Sequence, residues 1–321
     1  MNEAAPAATR GAPGDNLVLP FQIDPHGLRG RVVRLGDALD AILTRHDYPE
    51  QVAQLLGEAI VLAAGLAATL KFDGVFTLQT KGDGPVSMMV ADVTTEGAMR
   101  GYAQVDRGKL TKSLARPGPA VEAGPVPRLL GAGYLAFTVD QGADTERYQG
   151  IVELNGATLS DCIHHYFRQS EQFQAAINLA VGQVEAPHGG RTWRGGALMI
   201  QRLPDARGAD SEDAEEGWRN SMVMMASSTR RELLDRSLAP ETLLLRLFHE
   251  SGVRVYSERH LIDQCRCSRG RVIGMLRGLP RDDLEPLKID GRFVVTCEFC
   301  NRQYPIDEAE LGTADDDADP S

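Results

Sequence analysis

The sequence lacks an excess of positive charge: 45 aspartates and glutamates outnumber its 34 lysines and arginines, which gives a formal net charge of −11. Proteins that bind nucleic acid depend on clustered Lys and Arg to neutralise phosphates, so we expect no nucleic-acid partner. Aromatic residues are scarce at 6%, which leaves few side chains that could stack on bases. With 42% hydrophobic residues, the composition is still that of a globular protein with a sizeable core.

A long apolar run is also missing. The longest one, over residues 59–70, is shorter than the roughly 20 residues that a membrane-spanning helix needs. Residues 1–16 lack the apolar centre of a secretion signal. We therefore expect a cytoplasmic protein with no membrane partner. Its five cysteines would lie in a reducing compartment, where cysteine clusters are more often metal-binding or redox-active than permanently disulfide-bonded.

The mixture of helical and strand-like patterns predicts an α+β fold. It has a large N-terminal domain of antiparallel sheet and helices, a helical linker and a small C-terminal zinc-binding domain. The expected boundaries are a disordered tail over 1–15, the α+β core domain over 16–190, an acidic loop and amphipathic helical linker over 191–252, the four-cysteine domain over 253–311 and an acidic disordered tail over 312–321.

Local patterns predict the individual elements. Helices are expected where apolar residues recur at helical spacing, over 33–45, 50–72, 159–173, 218–235 and 240–250. Strands are expected where short apolar runs alternate with turn residues, over 75–80, 85–93, 98–105, 133–139 and 148–154. Thr158 or Ser160 is the expected cap of the third helix. The acidic stretch 205–216 indicates a solvated, mobile loop.

Four of the five cysteines form a Cys-x-Cys pair and a Cys-x-x-Cys pair separated by 29 residues. They are called the cysteine cluster here and comprise Cys265, Cys267, Cys297 and Cys300. Zinc prefers four tetrahedral ligands, and thiolate sulfur is among its best. The pattern predicts one Zn²⁺ per chain. Four thiolates leave no open position for water or substrate, so we expect no metal catalysis at this site.

The cysteine cluster allows two roles. Zinc could simply hold a small domain together, which is the commoner role for such a site. Alternatively, the site could be a switch, because a block of about 60 residues has little core of its own and zinc contributes about 10–16 kcal/mol in small zinc-dependent folds. Oxidation could close each sequence pair locally and eject the metal, since thiolates are the form that oxidants attack.

The segment 261–311 resembles the C-terminal redox domain of the 33-kDa chaperonin family, the redox-regulated heat-shock holdases. The matching runs are CRCSRGRVIGMLRGL and VVTCEFCNRQYPIDEAEL. Upstream, YQGIVELNGATLSDCIHHYFRQSEQ over 148–172 is similar to that family's signature at the end of its first domain. The resemblance covers about 17–311. The stretch after Gln172, FQAAINLAV, departs from the family because it lacks the expected Pro-Thr.

The resemblance implies a binding protein that is not an enzyme. It also implies a mechanism. The family's zinc ligands correspond to the cysteine cluster, and its two oxidation disulfides correspond to Cys265–Cys267 and Cys297–Cys300. The reduced, zinc-bound protein would be inactive. Oxidation would release zinc, unfold the redox domain and the linker, and let the protein bind unfolding clients without ATP. The family also implies a homodimer in the active state, a role in oxidative stress, and later transfer of clients to ATP-driven foldases.

The linker helices carry an apolar surface that would suit varied partners if it were exposed, because Met and Leu adapt to different shapes. The candidate client-binding residues are Met222, Met224, Met225, Leu243, Leu244, Leu245, Leu247 and Phe248. Alternatively, these residues pack on the first domain, which is the arrangement expected for the resting state.

Two other functions compete with the holdase. Cys297 and Cys300 could act in a thiol–disulfide oxidoreductase, although Arg302–Tyr304 suggests an extended segment where that chemistry places a helix. Alternatively, the block could be a zinc-ribbon nucleic-acid module, since it is locally basic through Arg254, Arg259, Arg266, Arg269, Arg271 and Arg277. Cys162, near His164 and His165, is interpreted as a buried structural cysteine.

Overall fold

The computed structural model describes residues 14–115, 124–141, 148–168, 174–203 and 212–311. Several predicted segments lie outside these residues: most of both tails, most of the acidic loop, and residues 169–172 at the end of the signature over 148–172. The chain divides into two compact units, Met1–Gln264 and Cys265–Ser321. Asp15, expected in the disordered tail, is instead buried and ion-paired.

The first unit contains helices and strands that we number in chain order. Its helices are α1 Asp37–Thr44, α2 Glu50–Ala67, α3 Arg107–Ala115, α4 Leu159–Tyr166, α5 Glu212–Ala226, α6 Arg230–Leu234 and α7 Pro240–Phe248. Its strands are β1 Leu17–Ile23, β2 Leu28–Leu35, β3 Val75–Gly82, β4 Val86–Thr94, β5 Ala98–Val105, β6 Gly133–Asp140, β7 Tyr148–Glu153, β8 Ala175–Glu185, β9 Arg191–Arg202, β10 Arg254–Val255, β11 Arg259–His260 and β12 Ile262–Asp263.

The strands of the first unit form two sheets. The first sheet has the order β10-β1-β2-β9-β8, with β11 also paired to β1. The second has the order β12-β5-β4-β3-β6-β7 and is antiparallel apart from the β12–β5 pair. The predicted α+β class is therefore confirmed, with the meander over β3 to β7 as its clearest feature.

Helix α2 forms the centre of the main core and contacts strands of both sheets. Gly57 faces Val181 and Gly65 faces Met199 so closely that a Cβ at either position would clash. Length and composition would allow α2 to cross a membrane, at a mean hydropathy of 1.2. Yet 78% of that window is buried inside the protein. The helix thus fills the space between two sheets, which accounts for its apolar character.

The structure differs from the sequence-based elements at several places. Residues 212–216, expected in the acidic loop, instead form the first turns of α5. The expected helix over 33–45 begins only at Asp37, because residues 28–35 pair with both β1 and β9. The expected boundary at 190 falls between β8 and β9. Residues 191–202 therefore belong to the core sheet and not to the linker. The expected helix over 218–235 is divided into α5 and α6 by a new N-cap at Thr229.

The linker helices α5, α6 and α7 lie on the face of the first sheet that points away from α2. A second core forms there from sheet residues such as Phe21 and Leu198 and linker residues such as Trp218 and Leu243. The rings of Phe21 and Phe248 stack with their centroids 6.0 Å apart. In this conformation the linker covers an apolar sheet face.

In the described part of the second unit lie the short α-helices α8 Arg269–Arg277, α9 Arg281–Leu284 and α10 Glu308–Leu311. Its sheet has the order β13-β14-β15, formed by Lys288–Ile289, Arg292–Thr296 and Gln303–Ile306. The cysteine domain was expected to begin at 253. Residues 254–263 instead add β10, β11 and β12 to the sheets of the first unit, so the second unit starts at Cys265.

Candidate metal centre

The first cysteine pair lies just before a capped helix. Cys267 precedes Ser268, whose hydroxyl accepts a hydrogen bond from the backbone N–H of Arg271 at 3.3 Å and begins α8. Ser is a favoured N-cap because its side chain satisfies an otherwise unpaired helical N–H. Arg271 also donates to the carbonyl of Arg266 at 2.6 Å, which ties the Cys-x-Cys loop to the helix.

The second pair forms a tight turn between β14 and β15. The N–H of Asn301 donates to the carbonyl of Cys297 at 2.8 Å, and the N–H of Cys297 donates to the carbonyl of Arg302 at 2.9 Å. Asn301 has a φ of 57°, and Asn is one of the few residues that adopts this left-handed conformation readily. The turn therefore presents Cys297 and Cys300 on the same side.

The structure brings the cysteine cluster together. Its four sulfurs lie within 4.8 Å of one another, with 3.7 Å between Cys265 and Cys297 and 3.3 Å between Cys267 and Cys300. Sulfurs about 2.3 Å from a central zinc would be about 3.8 Å apart at tetrahedral corners. The donor set and the spacing fit a single ion with four thiolate ligands, so the cluster could hold a metal.

The four cysteines differ in their surroundings. Burial raises the pKa of Cys265 and that of Cys300. Burial by itself would also raise the pKa of Cys267. Hydrogen bonds from Tyr304 and the neighbouring thiols outweigh this effect and lower the pKa of Cys267 to about 7. All four residues are only partly buried, so small oxidants could reach the sulfurs.

Tyr304 supports the cluster from outside the set of ligands, and sequence reasoning missed it. Its hydroxyl donates a hydrogen bond to the sulfur of Cys267 at 3.0 Å, and its ring is 7% exposed within the core of the unit. Arg302 in turn hydrogen-bonds to the Tyr304 side chain. Such outer hydrogen bonds orient metal ligands and stabilise their charge. The sequence signal that could have identified Tyr304 was weak, namely an aromatic residue next to polar ones in a segment expected to be extended.

The second unit has a small apolar core. Among the described residues, only five form its buried cluster: Val272, Leu276, Phe293, Tyr304 and Ile306. Cys267 and Cys297 pack against this cluster. A core of this size supplies little of the free energy that folding about 50 residues requires. The cysteine cluster therefore lies where a bound metal would contribute most to folding.

The candidate client-binding residues do not share one environment. Two of them face solvent, Met224 at 44% and Leu245 at 59% exposed, whereas four are buried: Met225, Leu243, Leu244 and Phe248. Met222 and Leu247 are partly buried against the same core. Most of this apolar surface is therefore covered in the present conformation.

The geometry gives little support to either competing function. Cys300 leads into β15 and not into a helix, so the helix N-terminus that lowers the thiol pKa in oxidoreductases is missing from this part of the described chain. The arginines of α8 are engaged within the unit. Arg269 forms a two-pronged ion pair with Glu310, at 2.9 and 2.6 Å, and Arg277 donates to the carbonyls of Glu310 and Leu311.

Cys162 lies on α4, far along the chain from the cluster, and is 0% exposed. Burial raises its pKa to about 11. Two residues further along the helix, His164 accepts a hydrogen bond at Nε2 from the backbone N–H of Ile177 at 3.0 Å. This histidine is thus held in its neutral form by β8, and the pair has the environment of a structural core and not of a nucleophile.

Comparison with known proteins gives matches over nearly the whole chain. The family model described as Hsp33 protein matches residues 16–307. A 33 kDa chaperonin of Caulobacter vibrioides (strain NA1000 / CB15N) is 42% identical over 91% of this chain and 95% of the relative. One from Pseudomonas fluorescens (strain SBW25) is 35% identical over 93% of each chain.

A similar fold is known from a solved structure. The crystal structure of the 33 kDa chaperonin of Thermotoga maritima, a heat shock protein 33 homologue, superposes with a TM-score of 0.73. It covers 92% of this chain and 96% of its own, at 24% sequence identity, so this likeness supports the fold alone. The curated relatives are named as chaperonins, which agrees with the expectation of a protein that is not an enzyme. The extent of the family match and the identity to these relatives show that the chain belongs to the Hsp33 family of 33 kDa chaperonins.

Proposed function

We propose that this protein is a redox-regulated, ATP-independent holdase that is inactive while the cysteine cluster binds zinc. One observation carries the proposal. Four sulfurs converge within 4.8 Å in a unit whose buried core has only five described residues. Zinc bound there would supply a tetrahedral crosslink worth about 10–16 kcal/mol in comparable small folds. Such a unit depends on its thiolates for its fold.

Oxidation would remove these ligands in pairs. Closing two disulfides takes four electrons from four thiolates, so two equivalents of peroxide are each reduced to two waters while four protons are consumed. We assign the bonds to Cys265–Cys267 and Cys297–Cys300, the pairing that the family resemblance implies. In the reduced cluster, Cys265 also lies 3.7 Å from Cys297 and Cys267 lies 3.3 Å from Cys300, so proximity alone does not select the proposed pairs. The proposed pairing therefore relies on the shorter chain loops that it closes once the unit loosens.

Unfolding of the second unit would affect the linker through the chain segment that connects them, residues 254–263. A single residue separates Cys265 from β12. The two-residue strands β10, β11 and β12 hold residues 254–263 on the first unit, together with the buried side chain of Leu261 and the ion pair between Arg45 and Asp263. Strands this short contribute few hydrogen bonds, so they separate easily from a sheet. We propose that the disorder spreads from them to α7, α6 and α5 and exposes both the linker and the sheet face beneath it.

The exposed surfaces would bind unfolding proteins through apolar contacts and prevent their aggregation. The candidate residues on the linker, with Met and Leu predominating, fit partners of many shapes. We further propose a cytoplasmic protein that acts as a homodimer when oxidised. It would release its clients after reduction to ATP-driven foldases.

The direct test follows the aggregation of a heat-unfolding client in the presence of reduced or peroxide-treated protein, with zinc release and free thiols recorded in parallel. The oxidised protein should suppress aggregation without ATP and release one zinc per chain. Because the chain has five cysteines, thiols counted after denaturation should fall from five to one. Peptide mapping should find the proposed disulfide pairs.

The control is the Cys162→Ser variant, which removes a thiol that is buried in the first unit. It should be activated as the wild type is, with no free thiol left after oxidation. Zinc that stays bound throughout full activation would refute the switch. Catalytic turnover in an insulin-reduction assay would favour the oxidoreductase instead.

A further inference from the structure

The sheet face beneath the linker contains polar donors as well as apolar side chains. Arg34 on β2 is 1% exposed, Arg194 on β9 is 2% exposed, and Asn178 lies on β8. Their side chains all donate hydrogen bonds towards the linker, and together they are called the carbonyl-binding face here. Buried guanidinium groups are rare unless they are fully hydrogen-bonded, so this arrangement requires an explanation.

Of the seven hydrogen bonds that the carbonyl-binding face donates to the linker, six go to main-chain oxygens. Arg34 donates to the carbonyls of Leu233, Asp235 and Leu238 at 3.0, 2.9 and 3.2 Å. Arg194 donates to the carbonyl of Leu234 at 2.9 Å.

The amide of Asn178 donates to the carbonyls of Met225 and Ser228 at 3.3 and 2.9 Å, and also to the hydroxyl of Ser228. Apart from this hydroxyl, these contacts use groups that every polypeptide possesses.

The linker offers these oxygens because α5 and α6 end there. The last carbonyls of a helix have no partner within the helix, and cations are favoured near a helix C-terminus. Gly196 on β9 lies directly opposite Arg34 in the sheet. A Cβ on Gly196 would collide with the carbonyl oxygen of Leu233. The sheet is thus shaped to let a foreign main chain approach closely beside Arg34.

The two arginines of this face differ in how their charge is balanced. Arg194 is neutralised by Asp15 through two hydrogen bonds of 2.6 Å each. Arg34 donates hydrogen bonds to carbonyls only, its Nε has no partner among the described residues, and the carboxylates of Asp15 and Asp235 act on its charge without a direct ion pair. Burial first, and then the nearby Arg194, lower the pKa of Arg34 to about 10, so it still carries its charge at neutral pH. The guanidinium of Arg34 needs hydrogen-bond acceptors in this position, and either main-chain oxygens or water can supply them.

We propose that Arg34, Asn178 and Arg194 bind the backbone carbonyls of an unfolded client segment, and that the linker occupies this face in the resting state as a stand-in for the client. The inference rests on the proposed holdase function and adds what the site recognises, namely main-chain oxygens, which unfolded chains expose and folded proteins satisfy internally. It explains binding without sequence preference, with the apolar residues of the same face supplying the remaining contacts.

The test measures the affinity of full-length, oxidised protein for a permanently unfolded probe, reduced and carboxymethylated α-lactalbumin, by fluorescence anisotropy. Arg34→Met should weaken binding about tenfold, because it removes several hydrogen bonds to a charged donor. In the reduced protein the same variant should loosen the linker and speed up amide exchange over 230–248. Weaker probe binding would lower the activity of the oxidised protein, whereas a loosened linker would make the reduced protein easier to activate. The two effects can therefore be told apart.

The matched control is Arg31→Met on the same strand. Arg31 also donates to a main-chain oxygen, that of Ala68 at 2.8 Å, but this contact lies next to α2 on the opposite side of the sheet. The control should leave probe affinity unchanged. If Arg34→Met impairs folding, as judged by circular dichroism, Arg34→Lys keeps the charge without the forked geometry and should give a smaller loss.

A second probe addresses the backbone directly. An unstructured peptide is compared with an analogue in which esters replace alternate amides, because an ester carbonyl is a poorer acceptor. The ester analogue should bind the wild type more weakly but bind Arg34→Met as well as the parent peptide does, which is a coupling in the sense of a double-mutant cycle.

The inference would be overturned if the ester analogue lost as much affinity for Arg34→Met as for the wild type. It would also be overturned if oxidised Arg34→Met bound the unfolded probe as tightly as the wild type does. A loss of dimerisation with client affinity intact would overturn it too, since the face would then bind a second copy. Failure of oxidised wild type to bind either probe would refute the holdase proposal itself.

Discussion

Replacing Tyr304 with Phe tests how the cysteine cluster holds its metal. The substitution removes only a hydroxyl, the one that donates to the sulfur of Cys267 at 3.0 Å, and leaves the buried ring in place. A hydrogen bond to a charged group contributes about 1.5–3 kcal/mol, and outer hydrogen bonds of this kind alter metal affinity by about 10–100-fold. We expect zinc affinity to fall by about tenfold or more.

The assay is competition for zinc with a chromogenic chelator under reducing conditions, followed by the rate of zinc release on peroxide treatment. Tyr304→Phe should lose zinc to a lower chelator concentration and should be activated by less oxidant. Tyr256→Phe is the matched control, since the Tyr256 hydroxyl is exposed and donates to Gln22 in the first unit. Unchanged zinc affinity and unchanged release in Tyr304→Phe would refute this role of the hydroxyl.

Three further predictions concern the cluster, the linker and pH. Cys297→Ser should weaken zinc binding and loosen the second unit even in reductant, measured by zinc titration and amide exchange; unchanged affinity would contradict a site with four thiolates. Leu243→Ala should destabilise linker docking by about 2–5 kcal/mol, because Leu243 is 0% exposed, whereas Leu245→Ala next to the buried pair should not, because Leu245 is 59% exposed. Thermal unfolding and dye binding would compare the two, and equal effects would contradict the packing described here. Burial raises the pKa of Glu58 on α2 from 4.5 to about 7, so the folded state binds this proton more tightly than the unfolded state and stability falls as pH rises from about 4.5 to about 7. Glu58→Gln should therefore stabilise the protein at pH 8, by at most about 3 kcal/mol, and hardly at all at pH 4; a gain in melting temperature that is the same at both pH values would contradict this.

The linker illustrates how a resting state can hide a surface without hiding every residue of it. Leu243 and Leu244 are buried on the sheet side of α7, and Leu245 faces solvent. A helix turns about 100° per residue, so three consecutive leucines cannot all share one face. The apolar set that the sequence presents as one surface is therefore divided between covered and exposed positions.

The strands of residues 254–263 show why domain boundaries are hard to infer from sequence. Each has two residues, too few to display any alternation. They become strands because β1 and β5 offer edges to pair with. Segments of this kind take their structure from a neighbour, and nothing in their own residues predicts it.

The sequence by itself determined those features whose causes lie within a few residues. The close spacing of the cysteines within each pair indicated the metal cluster. Thr158 was one of the two expected caps of α4 and is the observed one, and the apolar spacing indicated a helix from residue 240, where α7 begins. In each case the bonds or restrictions that matter join groups close along the chain. Such patterns survive in any tertiary context.

Only the tertiary structure decided the features that depend on distant partners. A sequence places Arg34 and Arg194 among surface charges, yet both are buried. Arg34 donates to an oxygen 199 residues away, and Arg194 pairs with a carboxylate 179 residues away. Residues 191–202 likewise became a central strand because β2 and β8 lie on either side of them. Burying a charge is favourable only when its partners are already in place, and that condition is met by the fold and not by the local sequence.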